Sequence, residues 1–210
     1  MQTLTQVAPT PSTDGDRGFT VLVVDDHPAV RLGIQLLLAD EPGIDRVASA
    51  ASYQEGVKRA GELAPDVAVV DFHLPERDGL TLTRRLGAMP NPPRILLFSA
   101  YADERLALAA VLAGADAMLG KDIMGLELCR RIEALARGDK PQFSISPQAL
   151  AAVSEELDLE DRPILGMLAA GADPNEITTV LGLSVAELDL RRSAMLQCLK
   201  ARPRLPRTRS

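Results

Sequence analysis

The 210-residue chain has no tryptophan, two cysteines, two histidines and no long apolar run. No stretch approaches the roughly 18–20 apolar residues that a bilayer-spanning helix needs. Cys129 and Cys198 are far apart and fall in helical patterns, so neither a disulfide framework nor a zinc site is indicated. The first segment, 1–17, is rich in Thr, Ser and Pro without the apolar centre of a signal peptide, and reads as a flexible tail. These absences are those expected of a protein in a reducing cytoplasm with no membrane attachment.

What is present is a repeated local pattern. Asp25 and Asp26 close one short apolar run (Phe19–Val24), Asp71 closes another (Val67–Val70), Ser99 follows Ile95–Phe98, and Lys121 follows Ala117–Gly120. Between these runs lie helical patterns with apolar residues three and four apart: Val30–Ala39, Tyr53–Leu63, Leu80–Met89, Arg105–Ala113 and Leu126–Arg137. Regular alternation of strand and helix predicts a parallel α/β sheet covered on both faces. In such a sheet every strand-end residue emerges at the same carboxyl edge, where open α/β folds place their crevice.

Three carboxylates, a hydroxyl and an ammonium would then share one edge. Carboxylates packed together repel one another unless a proton or a cation intervenes. A set of hard oxygen ligands without His or Cys side chains favours Mg²⁺, which commonly shares its coordination with phosphate oxygens. Each aspartate taken alone is also an ordinary turn or helix-cap residue. Asp26-His27-Pro28 does look like a helix start, with proline in the first turn.

Over residues 18–138 the chain resembles the receiver domain of two-component response regulators, which implies a flavodoxin-like fold with a doubly wound, five-stranded parallel sheet. The segment Asp71-Phe-His-Leu-Pro-Glu-Arg-Asp-Gly79 carries the family's proline and Asp-Gly at the expected offsets. The resemblance implies that Asp25, Asp26 and Asp71 hold Mg²⁺ together with the backbone carbonyl of His73. It implies that Asp71 accepts a phosphoryl group from a sensor histidine kinase, with Ser99 and Lys121 binding the transferred group. Such a chain is a switch and not a turnover enzyme. Position 118, where the family has an aromatic switch residue, holds Met118. His73 and Tyr101 each lie two residues beyond a site residue, where bulk would impede the water that hydrolyses an acyl phosphate.

The alternation ends near Gly138, and the pattern breaks around Pro141 and Pro147, so 139–154 is the expected linker. An all-helical unit is expected over 155–200. It has helical spacing at Leu157–Ala170, a short helix at Asn175–Leu181, and Ser184 as the N-cap of a third helix running to about Lys200. Through Leu157-Asp-Leu-Glu-Asp161, Leu168-Ala-Ala-Gly171, Asn175-Glu-Ile177 and Leu181-Gly-Leu-Ser184 it resembles the LuxR-type helix-turn-helix of NarL/FixJ response regulators. In that family the third helix enters the major groove of promoter DNA, which points here to Glu187, Asp189, Arg191 and Arg192.

Two of those four are acidic where the family usually offers threonine and lysine, and a carboxylate facing phosphates is repelled unless it reads a cytosine amine beside basic anchors. Further basic charge lies in the tail 201–210, at Arg202, Arg204, Arg207 and Arg209. No apolar-periodic segment follows Lys200 to make the family's fourth, pairing helix, so a homodimer would form through the receiver, around Arg105–Ala113 and Leu126–Arg137. Leu106, Leu108 and Leu112 equally suit the core stripe of a sheet-covering helix. The function expected is phosphorylation-controlled transcription through DNA, the alternative a protein-binding output. An autonomous kinase or phosphatase is disfavoured, since no Walker-type glycine loop is present.

Overall fold

The computed structural model describes residues 18–123, 125–139, 141 and 143–201. The expected tails, 1–17 and most of 201–210, lie outside the described residues. Five parallel strands, β1 (Phe19–Val24), β2 (Ile44–Ala50), β3 (Val67–Asp71), β4 (Arg94–Ser99) and β5 (Ala117–Gly120), form one sheet in the order β2-β1-β3-β4-β5. They alternate with α1 (Pro28–Leu38), α2 (Tyr53–Leu63), α3 (Gly79–Gly87), α4 (Glu104–Ala113) and α5 (Leu126–Ala136). Four helices follow: α6 (Pro147–Glu155), α7 (Arg162–Ala169), α8 (Pro174–Leu181) and α9 (Val185–Ala201). Among the described residues no helix is long and apolar enough to cross a membrane.

Because side chains alternate across a strand, the near-continuous apolar strands feed two separate cores. Val21, Val23, Val67, Val69, Leu96 and Phe98 pack with Ile34 and Leu38 of α1 and Leu128, Cys129, Ile132 and Leu135 of α5. Leu22, Val24, Ala68, Val70, Ile95 and Leu97 point the other way, toward α2, α3 and α4. Burial on both faces is what makes these strands read as unbroken hydrophobic runs. The second core does not stop at α4. It continues into Val153 of α6, Ile164, Leu165 and Leu168 of α7, Ile177 of α8, and Leu188, Met195, Leu196 and Leu199 of α9.

Strand β2 was not among the runs located in the sequence. It is an edge strand, paired to β1 alone, and its Asp45 and Arg46 are exposed, so no apolar run marks it. The expected linker is also partly helical, because Pro147 is the first residue of α6 and not a break. Ser146 caps that helix by accepting a bond from the Ala149 N–H at 3.1 Å. The helix expected from Leu157 begins at Arg162. The third helix starts as expected, in a reciprocal cap: Glu187 N–H donates to Ser184 Oγ at 3.2 Å, and Ser184 N–H donates to Glu187 Oε2 at 2.7 Å.

The α4 face, expected as a pairing surface, is covered from within the chain. Residues 106–113 are all buried, and α6, α7 and α9 pack on this helix. Arg105 donates to both oxygens of Glu156 at 2.7 and 3.0 Å and to the Leu199 carbonyl at 3.2 Å. Lys200 pairs with Asp78, and Arg192 Nε donates to the Leu112 carbonyl at 3.2 Å, beside Gly114, whose φ of +91° ends α4.

Candidate active site

The parallel register brings the strand ends together as expected. Asp71 stands opposite Phe98 and Ser99 opposite Gly120, while Asp25 continues β1 with its N–H donating to the Ala50 carbonyl. Asp25 and Asp71 are each 2% exposed, and Ser99 is fully buried. Lys121 reaches from the end of β5 to both, its Nζ lying 2.6 Å from Asp25 Oδ2 and 3.0 Å from Asp71 Oδ1. Its own N–H donates to the Ser99 carbonyl at 2.8 Å, which fixes the β5 exit against β4.

The loop after Asp71 is closed tightly. Gly79 N–H donates to the Phe72 carbonyl at 2.7 Å, and a Cβ at Gly79 would collide with the Asp71 carbonyl oxygen. That close approach is the reason glycine stands there. Asp78 caps α3 by accepting from the Thr81 N–H at 2.9 Å. The Asp-Gly pair singled out in the sequence is therefore the hinge between the loop and α3.

Electrostatically the site is unbalanced toward negative charge. Burial pushes the Asp71 carboxyl above its usual range and Asp25 pushes it further, against the pull of Lys121. Burial disfavours the Lys121 ammonium, yet its bonds to Asp25 and Asp71 outweigh that and hold its proton more tightly than usual. The second oxygen of Asp71, Oδ2, is buried with no hydrogen-bond partner. A buried acceptor without a donor is costly, and a cation or a phosphoryl group at this point would remove that cost.

Asp25, Asp26, His27 and Asp71 each offer a ligand atom within 4.8 Å of the others. His27 was read in the sequence as a helix start. Its N–H does donate to Asp25 Oδ1 at 2.8 Å, and its ring nitrogen Nδ1 lies 2.6 Å from Asp26 Oδ1. Arg31, within the helical span expected over Val30–Ala39, donates to the Asp25 carbonyl at 2.6 Å. No one-dimensional signal marks that bond. His73 and Tyr101 both flank the site, their rings edge to face with centroids 6.4 Å apart. The Tyr101 N–H donates to Ser99 Oγ at 3.1 Å. Met118 is half-buried beside Ala107 and Phe143 on the α4 side of the sheet.

The response regulator receiver domain matches residues 21–134. The chain belongs to the response regulators. It is 34% identical over 167 residues, 75% of this chain and 77% of that protein, to the DNA-binding transcriptional activator DevR/DosR of Mycobacterium tuberculosis. It is 28% identical over 197 residues, 89% of this chain and 91% of the other, to the nitrate/nitrite response regulator NarL of Escherichia coli K12. Among solved structures, a LuxR-family two-component response regulator from Aurantimonas sp. SI85-9A1 aligns with a TM-score of 0.56 at 34% identity, covering 66% of this chain and 97% of that one. This response regulator thus has a receiver domain matched over residues 21–134, followed by a helical C-terminal region.

The four residues expected at a DNA surface are apart from the acidic site and largely engaged. Glu187 is spent on the α9 cap. Arg191 pairs with Glu160 at 3.0 Å and Asp161 at 3.2 Å. Arg192 lies against the end of α4, with Asp189 3.8 Å away. Burial makes the Arg192 guanidinium less basic than usual, Asp189 counteracts this, and Arg84 nearby adds to it.

Proposed function

We propose that this response regulator takes a phosphoryl group on Asp71 from a sensor histidine kinase in the cytoplasm and passes that event to promoter DNA through its helical unit. The observation that carries the reading is the buried, unpartnered Oδ2 of Asp71 inside a cage of Asp25, Asp26 and Lys121. Three carboxylates, one with an orphaned oxygen, fit Mg²⁺, which Asp25, Asp26 and Asp71 and the His73 carbonyl would hold. When bound, the ion neutralises charge on the incoming phosphoryl group. Asp71 Oδ2 attacks phosphorus as the bond to the kinase's imidazole nitrogen breaks. That nitrogen leaves with the electron pair and takes up a proton. Lys121 is placed to pair with the oxygen charge that arrives on Asp71. Ser99, whose Oγ accepts from Tyr101, keeps its own hydrogen for a phosphoryl oxygen.

The output follows from the packing on α4. With Leu188, Met195, Leu196 and Leu199 turned inward and Arg192 bound to the α4 carboxyl end, α9 is not free to lie in a groove of DNA. Phosphorylation beside Asp78, which holds Lys200, would loosen that arrangement and release α9. The name of DevR/DosR, a DNA-binding transcriptional activator, supports DNA as the target. The regulator acts as a homodimer in this reading. A protein-binding output is the second reading, favoured by the acidic Glu187 and Asp189 on the outer start of α9.

The test is acetyl phosphate with Mg²⁺, then a cognate kinase, read by intact mass. One phosphoryl group on the native chain and none on Asp71→Asn is expected, and an unmodified native chain with both donors refutes the assignment. A salt titration on promoter fragments, native against a chain truncated after Ala201, separates the outputs. DNA readout predicts affinity falling steeply with salt, whereas the protein-binding reading predicts no sequence preference at any salt.

A further inference from the structure

We infer that the imidazole of His27 is a further ligand of the acidic cage, so that the site takes a first-row divalent ion such as Mn²⁺ or Co²⁺ in preference to Mg²⁺. The inference rests on the metal-holding reading of Asp25, Asp26 and Asp71 above and changes its donor set, which the sequence gave no histidine side chain. Helices α2, α3, α4, α6 and α8 are each capped by a side-chain oxygen, from Ser52, Asp78, Asp103, Ser146 and Asp173. Helix α1 is entered differently. His27 stands at its cap position, and the side chain accepts nothing from the first turn. Its ring is turned back toward the cage instead. Nδ1 lies 2.6 Å from Asp26 Oδ1 and 3.3 Å from Asp25 Oδ1, and the His27 N–H donates to that same Asp25 oxygen at 2.8 Å. Backbone and ring together set Nδ1 at the mouth of the cage.

Two ligand atoms side by side on an octahedral ion, each about 2.1 Å from it, lie roughly 3 Å apart. The separations of 2.6 and 3.3 Å bracket that spacing. Lys121 is bound to different atoms, Asp25 Oδ2 and Asp71 Oδ1, so it does not compete with the ring. Asp71 Oδ2, buried and without a partner, completes a group whose ligand atoms all lie within 4.8 Å of one another. One ammonium among three carboxylates leaves the excess of negative charge that a divalent ion cancels. His73, the other histidine of the chain, is not in this group.

An imidazole nitrogen is a softer donor than a carboxylate oxygen. It adds little to the hold on Mg²⁺, which favours oxygen and water, and much to the hold on first-row ions, whose affinity rises from Mn²⁺ to Cu²⁺. With Nδ1 on the ion, the proton of the ring is carried on Nε2. The ring is 64% exposed, so ligation buries no further polar group.

The experiment titrates Co²⁺ and Mg²⁺ separately into the metal-stripped full chain by calorimetry, native against His27→Phe, and records pulsed EPR of the native chain loaded with Mn²⁺. His27→Phe is expected to weaken Co²⁺ at least about tenfold and to leave Mg²⁺ within about threefold. The Mn²⁺ spectrum should carry the coupling of a directly bound imidazole nitrogen. Equal losses for both ions would mean that His27 only steadies Asp26, and would overturn the ligand role, as would unchanged affinities. Should His27→Phe fail to fold, the native spectrum decides alone, and an absent nitrogen coupling refutes the inference. A native chain that binds neither ion overturns the metal-holding reading and this inference with it. Nitrogen coupling in a chain that no donor phosphorylates supports the inference and overturns the phosphoacceptor assignment alone.

Discussion

Cutting the Arg105 to Glu156 link should open the regulator by a predictable factor. The guanidinium donates two near-parallel bonds, 2.7 and 3.0 Å, to a carboxylate on the segment that follows α6, and both side chains are less than one-fifth exposed. Glu156 in turn holds the Arg105 guanidinium more basic than usual. Charge-assisted, bidentate geometry at this depth stands above the surface-pair range of up to about 1 kcal/mol, and a coupling of about 1–2 kcal/mol is expected from the pair. That corresponds to roughly a 5–30-fold shift in the balance of closed and open chains. Arg105→Ala alone should cost more than the coupling, because it also removes the bond to the Leu199 carbonyl. The assay is a double-mutant cycle over Arg105→Ala, Glu156→Ala and the double variant, with hydrogen exchange of the α4 and α9 amides reporting the open population. Open chains should exchange faster and, unphosphorylated, bind promoter DNA more tightly. A coupling under about 0.3 kcal/mol, within the scatter of independent sites, would refute the claim that this pair holds the units together.

His73→Ala removes one of two rings edging the site, and acyl phosphate loss should accelerate, about 3–10-fold on the scale where 1.4 kcal/mol is tenfold; an unchanged half-life in a dephosphorylation time course assigns His73 to the loop alone. Asp78 loses stability when buried, but its bonds to Lys200 and Thr81 outweigh this and depress its carboxyl in the folded chain, so its contribution is complete above the ordinary value near 3.8 and is lost as pH falls through the lower folded value. Amide exchange at the end of α9 should therefore rise in acid, and Asp78→Asn should show that rise already at neutral pH. Asp71 has the opposite sign: its carboxyl is raised in the fold, so native stability should decline as pH rises from the ordinary aspartate value to the folded one. Denaturant melts of Asp71→Asn should lack that decline, and added Mg²⁺ should abolish it in the native chain.

The acidic site was legible because each of its members ends a strand, and a parallel sheet converts that one-dimensional regularity into a shared edge. Glycine at position 79 was singled out through the family's offsets alone, and its reason, the close approach of the Asp71 carbonyl, shows only in the fold. Strand β2 was not legible, since an edge strand with Asp45 and Arg46 exposed lacks the run that marked the other four. Helix α6 was hidden by Pro147, whose missing N–H is harmless in a first helical turn and disruptive elsewhere. The largest illegible feature was the partner of α9. Leu188, Met195, Leu196 and Leu199 have the spacing of any helix-turn-helix core, and sequence periodicity reports that a face is buried without naming what buries it. Arg192 shows the limit most sharply, since its charge suggested a phosphate contact and its guanidinium lies on the carboxyl end of α4.

The sheet is a partition between two interiors of unequal reach. On one side the packing is self-contained, closed by α1 and α5; on the other it runs without interruption from the strands to the last turn of α9. Strain introduced on the second side is felt by every element as far as the carboxyl end of the described chain, while the first side can exchange neighbours without loosening anything beyond itself. The face closed by α1 and α5 and the restraint on α9 are thus mechanically separate, with the strand ends as the line shared between them.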